Sequence, residues 1–355
     1  MDGAHSTDHG GGRRAYIGSF TSGGGRGVIT AAVDPATGAL TPLSAEGSLP
    51  NPSYLAFDRG AGVLYAVSEA DRGAAGAFRP TAGGLAAIGG PVAVGGAGPT
   101  HLCLAGRRLL TANYTSGSVS SLPLADGGGV PAPASVLACE GSGPDPDRQT
   151  GPHPHQVLPD PAGRWVLGVD LGTDEVRVFA LDPVTGGLRV HAVTALRPGA
   201  GPRHLAFHPS GGVVYVLHEL EPLLTVCRWN ADSGLLDPVA EVPVAPAGGL
   251  DGVRPYPSAI IVSSDGRFVW AAVRGTDTLV TFSLAGGPEE PRPASTVGCG
   301  GRWPRDLAAD PEGRRLYAAN ERSGDVTWFD VDPRTGRPVR AGSMPAPAAS
   351  CVVFG

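Results

Sequence analysis

Six side chains able to hold or move charge sit at matching points of a repeated segment: His155, Arg203, Arg305, Glu69, Glu219 and Arg274. Arginine grips carboxylate or phosphate oxygens bidentately, imidazole titrates near neutrality, and a carboxylate accepts a proton or orients its neighbour. Gathered in one place, such a set suits an anionic small molecule; an Arg/Glu network that merely plugs a channel is the alternative. Asn113, Asp170 and Asn320 add oxygen donors and are expected, with Arg305 and Glu69, to contact substrate. Together with Glu219 they could ligate Ca²⁺, but three arginines in the same ring oppose a cation, so neither metal nor cofactor is expected. No HExxH, GxSxG, P-loop or EF-hand pattern is present.

The elements that must position these groups follow from the repeat. A Pro, one variable residue, an apolar strand, an Asp/Pro/Gly-rich turn and a second apolar strand recur roughly every 50 residues. The copies read PSYLAFDRGAGVLYAVSE from Pro52, PTHLCLAGRRLLTANY from Pro99, PHQVLPDPAGRWVLGVDL from Pro154 and PRHLAFHPSGGVVYVLHE from Pro202. PSAIIVSSDGRFVWAAVR from Pro257 and PRDLAADPEGRRLYAANE from Pro304 follow. The C-terminal Ala349–Gly355, ASCVVFG, is half of a seventh copy, and RRAYIGSF, Arg13–Phe20, is the other half. Third strands such as EVRVFAL from Glu175 and DVTWFDV from Asp325, then DPxTG turns and an outer strand, complete each unit. The expectation is an all-β, seven-bladed propeller with four-stranded blades, its ring closed by pairing of the N- and C-terminal strands.

A propeller's first strand is innermost. The residues after each Pro (Ser53, Thr100, His155, Arg203, Ser258, Arg305, Ser350) should therefore ring one mouth of the channel. The second strand returns to that mouth, bringing the pairs Ser68/Glu69, Asn113/Tyr114, Asp170/Leu171, His218/Glu219, Val273/Arg274, Asn320/Glu321 and Ser19/Phe20. His101 and His204 should point away from it, into packing.

Composition narrows the alternatives. Gly (55) and Pro (35) recur too often for long helices, and 41% apolar residues spread evenly through 355 support one domain. The net charge of −6, with arginine as the only cation type, argues against a nucleic-acid surface. Five cysteines without CxxC spacing read as reduced thiols. Neither an apolar leader nor a membrane-length stretch is present. A soluble cytoplasmic protein is expected, monomeric or weakly dimeric, with residues 1–12 disordered and 13–355 forming the propeller.

YIGSFTSG, GPTHL with TANYTSGSVS, GPHPHQV with VDLGTDEVRVF, GPRHLAFHP with VLHE, VRGTDTLVTF and RDLAADPEGRRLYAANERSGDV, in this order, resemble the propeller lactonase family. That family contains the bacterial propeller-type 6-phosphogluconolactonases and the carboxymuconate-cyclising enzymes. The resemblance runs from about Arg14 to the C-terminus and implies a catalytic cluster of His155, Arg203, Glu219 and Arg274. It further implies hydrolysis of a small, sugar-derived anionic lactone, with water activated by His155 or Glu219. Carboxymuconate-type cyclisation and a non-catalytic ligand-binding propeller are the alternatives. Two departures from the family pattern, Val273 before Arg274 and Glu321 in ANERSG, are expected to reshape the substrate pocket.

Overall fold

The computed structural model describes residues 12–131, 134–245 and 252–355; the expected disorder of residues 1–12 falls, but for Gly12, outside them. Seven antiparallel sheets surround a central axis. Blade 1 orders its strands Ala349–Phe354, Arg14–Ser19, Val28–Val33 and Leu40–Glu46, so the last strand of the chain is its innermost. The C-terminal strand pairs with the first one, Ala15 opposite Phe354 and Ile17 opposite Val352. Blades 2 to 7 begin at inner strands Leu55–Asp58, Pro99–Ala105, Pro154–Pro159, Pro202–Phe207, Tyr256–Val262 and Pro304–Ala309. These inner strands touch their neighbours all the way round the ring.

Each middle strand is buried on both faces, which is why stretches such as VLYAVS and VVYVLH are continuously apolar. Side-chain alternation divides one strand between two interfaces. Tyr215 and Leu217 pack towards blade 6 while Val214 and Val216 pack towards blade 4. Seven apolar clusters result, one at each blade–blade interface. An aromatic donor on the second strand, or just before it, often straps the next blade's outer turn. Tyr317 Oη donates to the Gly38 carbonyl (2.9 Å), Trp270 Nε1 to Gly336 (2.7 Å) and Trp165 Nε1 to Ala231 (2.7 Å).

The DPxTG turns have a visible cause. Asp34 Oδ1 accepts from the Ala36 and Thr37 amides at 3.0 and 2.7 Å, and Gly38 adopts φ +71°, where a Cβ would strike Arg315 and Tyr317. Blade 2 alone is irregular: its outer strand is only Gly84–Ala87, and Val92–Ala93 pairs separately with Ala74–Ala75 after the Gly89-Gly90-Pro91 break. No helix among the described residues is long and apolar enough to cross a membrane.

Candidate active site

In six of the seven blades the residue after the initial Pro, or its Ala349 equivalent, lies in a β-bulge. The register slips between Pro154 and Gln156, Pro202 and His204, Pro304 and Asp306, and likewise around Thr100, Ser258 and Ser350. A bulged residue is freed from the ladder and its side chain is re-aimed, which brings His155, Arg203 and Arg305 to the axis. The bulges are also tied to one another. Thr100 Oγ1 donates to the His155 carbonyl (3.1 Å), Arg203 Nη1 to that of Ser258, and Ser258 Oγ to that of Pro304 (2.6 Å).

The return of each middle strand divides its terminal pair. The second member reaches the mouth, held by a backbone bond to the residue before its own blade's inner-strand Pro: Glu219 N to Gly201 O at 2.7 Å, Glu321 N to Trp303 O at 3.0 Å. The first member turns into the sheet. Asn113, Asp170 and Asn320, expected to contact substrate, are therefore corrected to structural roles. Asn113 bonds Thr111, Ser118 and Ser120; Asp170 accepts from the His153 and Gly172 amides; Asn320 donates to Thr327. Val273 is fully buried in the blade 5–6 cluster and does not line a pocket. The four oxygen donors weighed for Ca²⁺ are thus dispersed, and no group of three His, Cys, Asp or Glu among the described residues is disposed to hold a metal.

At the centre of the mouth Glu219 gathers three guanidiniums. Its Oε2 lies 2.6 Å from Arg274 Nη2 and 3.0 Å from Arg203 Nε, the latter outside hydrogen-bond alignment, and its Oε1 lies 2.8 Å from Arg148 Nη2. Burial alone would raise the Glu219 carboxyl, but Arg274, Arg203 and Arg148 overcome it and hold the group well below the usual carboxylate range. Arg203, pressed down to about 9 by burial and by Arg274, still carries its charge at neutral pH. Arg305 lies 3.5 Å from Glu69, 3.6 Å from Glu321 and over the Phe20 ring at 4.8 Å. Side-chain exposure rises from 3% at Arg203 through 18% at Arg305 to 36% at Arg148, which marks the way in from solvent.

Among the described residues His155 has no hydrogen-bond partner at Nδ1 and no carboxylate partner. Burial, then Arg203, Arg305 and Arg274, push its imidazole well below the usual value, so it is neutral at pH 7. Its ring stands 5.6 Å from Tyr114 and 5.3 Å from His204. Ser53, Glu69, Glu321, Ser350, His101 and His204 also carry buried side-chain atoms without a hydrogen-bond partner among the described residues. Orphaned polar atoms concentrated about one axis are unusual for a filled scaffold, where buried polar groups are satisfied.

A family model described as lactonase, 7-bladed beta-propeller, matches residues 14–354. The chain belongs to this lactonase family. A Bacillus subtilis 6-phosphogluconolactonase is 33% identical over 345 residues, 96% of this chain and 97% of the relative. The solved periplasmic gluconolactonase of Pseudomonas aeruginosa is 31% identical with TM-score 0.89, covering 96% of this chain and 98% of that one. A Bacteroides fragilis structure, 28% identical, superposes with TM-score 0.89 over 100% of both chains. Membership makes the protein a lactonase, a hydrolase of cyclic esters.

One feature of the lactonase mouth lies outside the sequence expectations. Arg148 comes from the loop between blades 3 and 4, outside the repeat. Asp145 Oδ1 caps its amide at 3.0 Å, Gln149 anchors the loop to the Leu171 carbonyl at 2.8 Å, and Tyr114 Oη accepts from the guanidinium at 3.2 Å. The longer interval from Pro99 to Pro154 than from Pro52 to Pro99 is the signal that could have located this loop. His101 and His204, expected in packing, lie beneath His155 with Tyr54, at 4.1 Å between Tyr54 and His101 and, edge to face, 5.8 Å between the two histidines.

These buried imidazoles predict acid sensitivity. Burial pushes His101 down to about 3 and His218 to about 4, and holds His155 and His204 well below the ordinary value. As pH falls through about 6.5 the unfolded chain takes up protons that the fold refuses, so stability falls, by on the order of 2 kcal/mol per neutral imidazole between pH 7 and 5. Asp306, raised by burial to about 6, acts in the opposite sense, since the folded state binds its proton first. The net expectation is a thermal midpoint clearly lower at pH 5 than at pH 7; an equal or higher midpoint at pH 5 would contradict it.

Proposed function

We propose that the lactonase hydrolyses a sugar-derived δ-lactone bearing an anionic substituent, with His155 as the base and Arg203 and Arg274 binding the carbonyl oxygen. The observation that carries this reading is a neutral, unpartnered imidazole beside guanidiniums gathered by one carboxylate. Water loses a proton to His155 as it attacks the lactone carbonyl carbon. The arginines stabilise the oxyanion that forms. The ring C–O bond then breaks, and the imidazolium returns its proton to the departing alkoxide, leaving a hydroxy acid. A depressed imidazole pKa favours that second transfer, because the protonated ring is a strong acid. Glu219, ionised and claimed by three arginines, is a poor base and serves as their positioning residue.

The names of the relatives support a sugar lactone and differ over phosphate. All five cysteines are free thiols, which supports a reducing, cytoplasmic location. The test is turnover on phosphorylated and unphosphorylated aldonolactones and on a carboxylated muconolactone, with and without EDTA. Hydrolysis of an aldonolactone that withstands chelation is expected. Activity lost to EDTA and restored by Ca²⁺ would replace the arginine mechanism, and a panel without turnover would refute the reading.

A further inference from the structure

Comparison of the blades with one another singles out blades 6 and 7. The residue following the mouth position is Ala70, Thr115, Gly172, Leu220, Gly275 or Thr21 elsewhere, but Arg322 in blade 7. The residue preceding the Pro takes positive φ in several blades, where it is Gly98 (+57°), Gly201 (+62°), Asn51 (+44°) or Ala348 (+51°). In blade 7 that residue is Trp303, at +64°. A bulky side chain in the left-handed region is an outlier, and such strain clusters at ligand clamps.

Trp303 is held in that conformation from several sides. Its amide donates to Asp277 Oδ1 at 2.8 Å, and its ring lies 3.3 Å from the Arg322 guanidinium carbon and 5.5 Å from that of Arg274. Its ring centre is 6.0 Å from that of Tyr256, whose own ring carries Arg254 at 5.1 Å. Arg254, Tyr256, Asp277, Arg302, Trp303 and Arg322 line a pocket of about 310 Å³ beside the mouth. None of Arg254, Arg302 and Arg322 pairs with a carboxylate among the described residues. The pocket shares two walls with the catalytic arginine: the Trp303 ring, and Tyr256, whose carbonyl accepts from Arg274 Nε at 3.2 Å.

We infer that this pocket is a second anion subsite, which receives a phosphoester carried by the substrate at the end remote from its lactone carbonyl. The inference rests on the lactonase reading of the mouth. Trp303 is the wall between the two subsites: one arginine touching its ring faces the reacting ester and another faces the remote anion. Unpaired guanidiniums on an aromatic surface suit a dianionic phosphoester, which they can clasp bidentately. A neutral sugar lactone would leave the subsite unused.

The test uses Arg322→Ala and the double variant Arg302→Ala/Arg322→Ala, both altered at exposed positions, in the full chain. Calorimetry with 6-phosphogluconate and with gluconate reads binding apart from turnover. The wild type is expected to bind the phosphorylated acid at least tenfold more tightly, and the double variant to lose that preference while its gluconate affinity stays unchanged. Where lactones are turned over, the ratio of kcat/KM for phosphorylated over unphosphorylated substrate should fall by the same factor. A preference that survives in the double variant, or is absent from the wild type, overturns the subsite even if lactones are hydrolysed. Loss of phosphate preference in binding, in a protein that hydrolyses no lactone, would support the subsite and sink the mechanism at the mouth.

Discussion

His155→Ala keeps the fold and a KM within severalfold of the wild type, but kcat falls by about a hundredfold or more, the usual scale for a general acid or base. The His155 imidazole is neutral, lies beside the mouth arginines and has no hydrogen-bond partner at Nδ1 among the described residues. Arg274→Ala removes a donor to the developing oxyanion, so kcat falls as well, with up to about a few kcal/mol lost in kcat/KM. Glu219→Gln leaves the arginines less firmly placed and is expected to cost less than His155→Ala. Steady-state kinetics on folded variants separate these. Near-normal kcat in His155→Ala with its loss in Glu219→Gln would make the glutamate the base; no effect from either would reduce the cluster to a structural plug.

Deletion of Ala349–Gly355 leaves no soluble, folded protein. The segment is the inner strand of blade 1, and it buries Ala349, Cys351, Val352 and Phe354. Val352 and Phe354 alone represent about 3–6 kcal/mol of apolar burial, against a whole-domain stability of about 5–15 kcal/mol. Deletion also strips the ladder from Arg14–Ser19 and exposes the flank of blade 7 to water. Deleting residues 13–20 removes the other half of the pairing and has the same expected outcome, whereas removing residues 1–12 leaves solubility and melting unchanged. A monodisperse, cooperatively melting product of either strand deletion would contradict closure by this sheet.

Much of the architecture was legible because the repeat carries its own register. The third strands expected at Glu175–Leu181 and Asp325–Val331 are observed with those bounds. The same register brought His155, Arg203, Glu219, Arg274, Arg305 and Glu69 to one mouth. It misplaced Asn113, Asp170 and Asn320 because two consecutive residues at a strand end were both assigned to the mouth, although strand alternation sends them to opposite sides. Val273 fails for the same reason. His101 and His204, expected in packing, are buried beneath His155. Arg148 could not be found by registering copies, since its loop belongs to none of them. The strain at Trp303 is likewise a backbone property, visible only once φ is known.

The split of blade 1 between the two chain ends sets a timetable for biosynthesis. Arg14–Ser19 leaves the ribosome well before its inner partner Ala349–Phe354 has been made. At about 5–20 residues per second, the nascent chain carries that open strand edge for tens of seconds. During this interval the later blades can form from contiguous sequence, each finding its partners nearby. Arg14–Ser19 therefore completes its sheet after the other blades, and the interval before Ala349–Phe354 emerges is when the chain is most open to pairing with a second nascent copy.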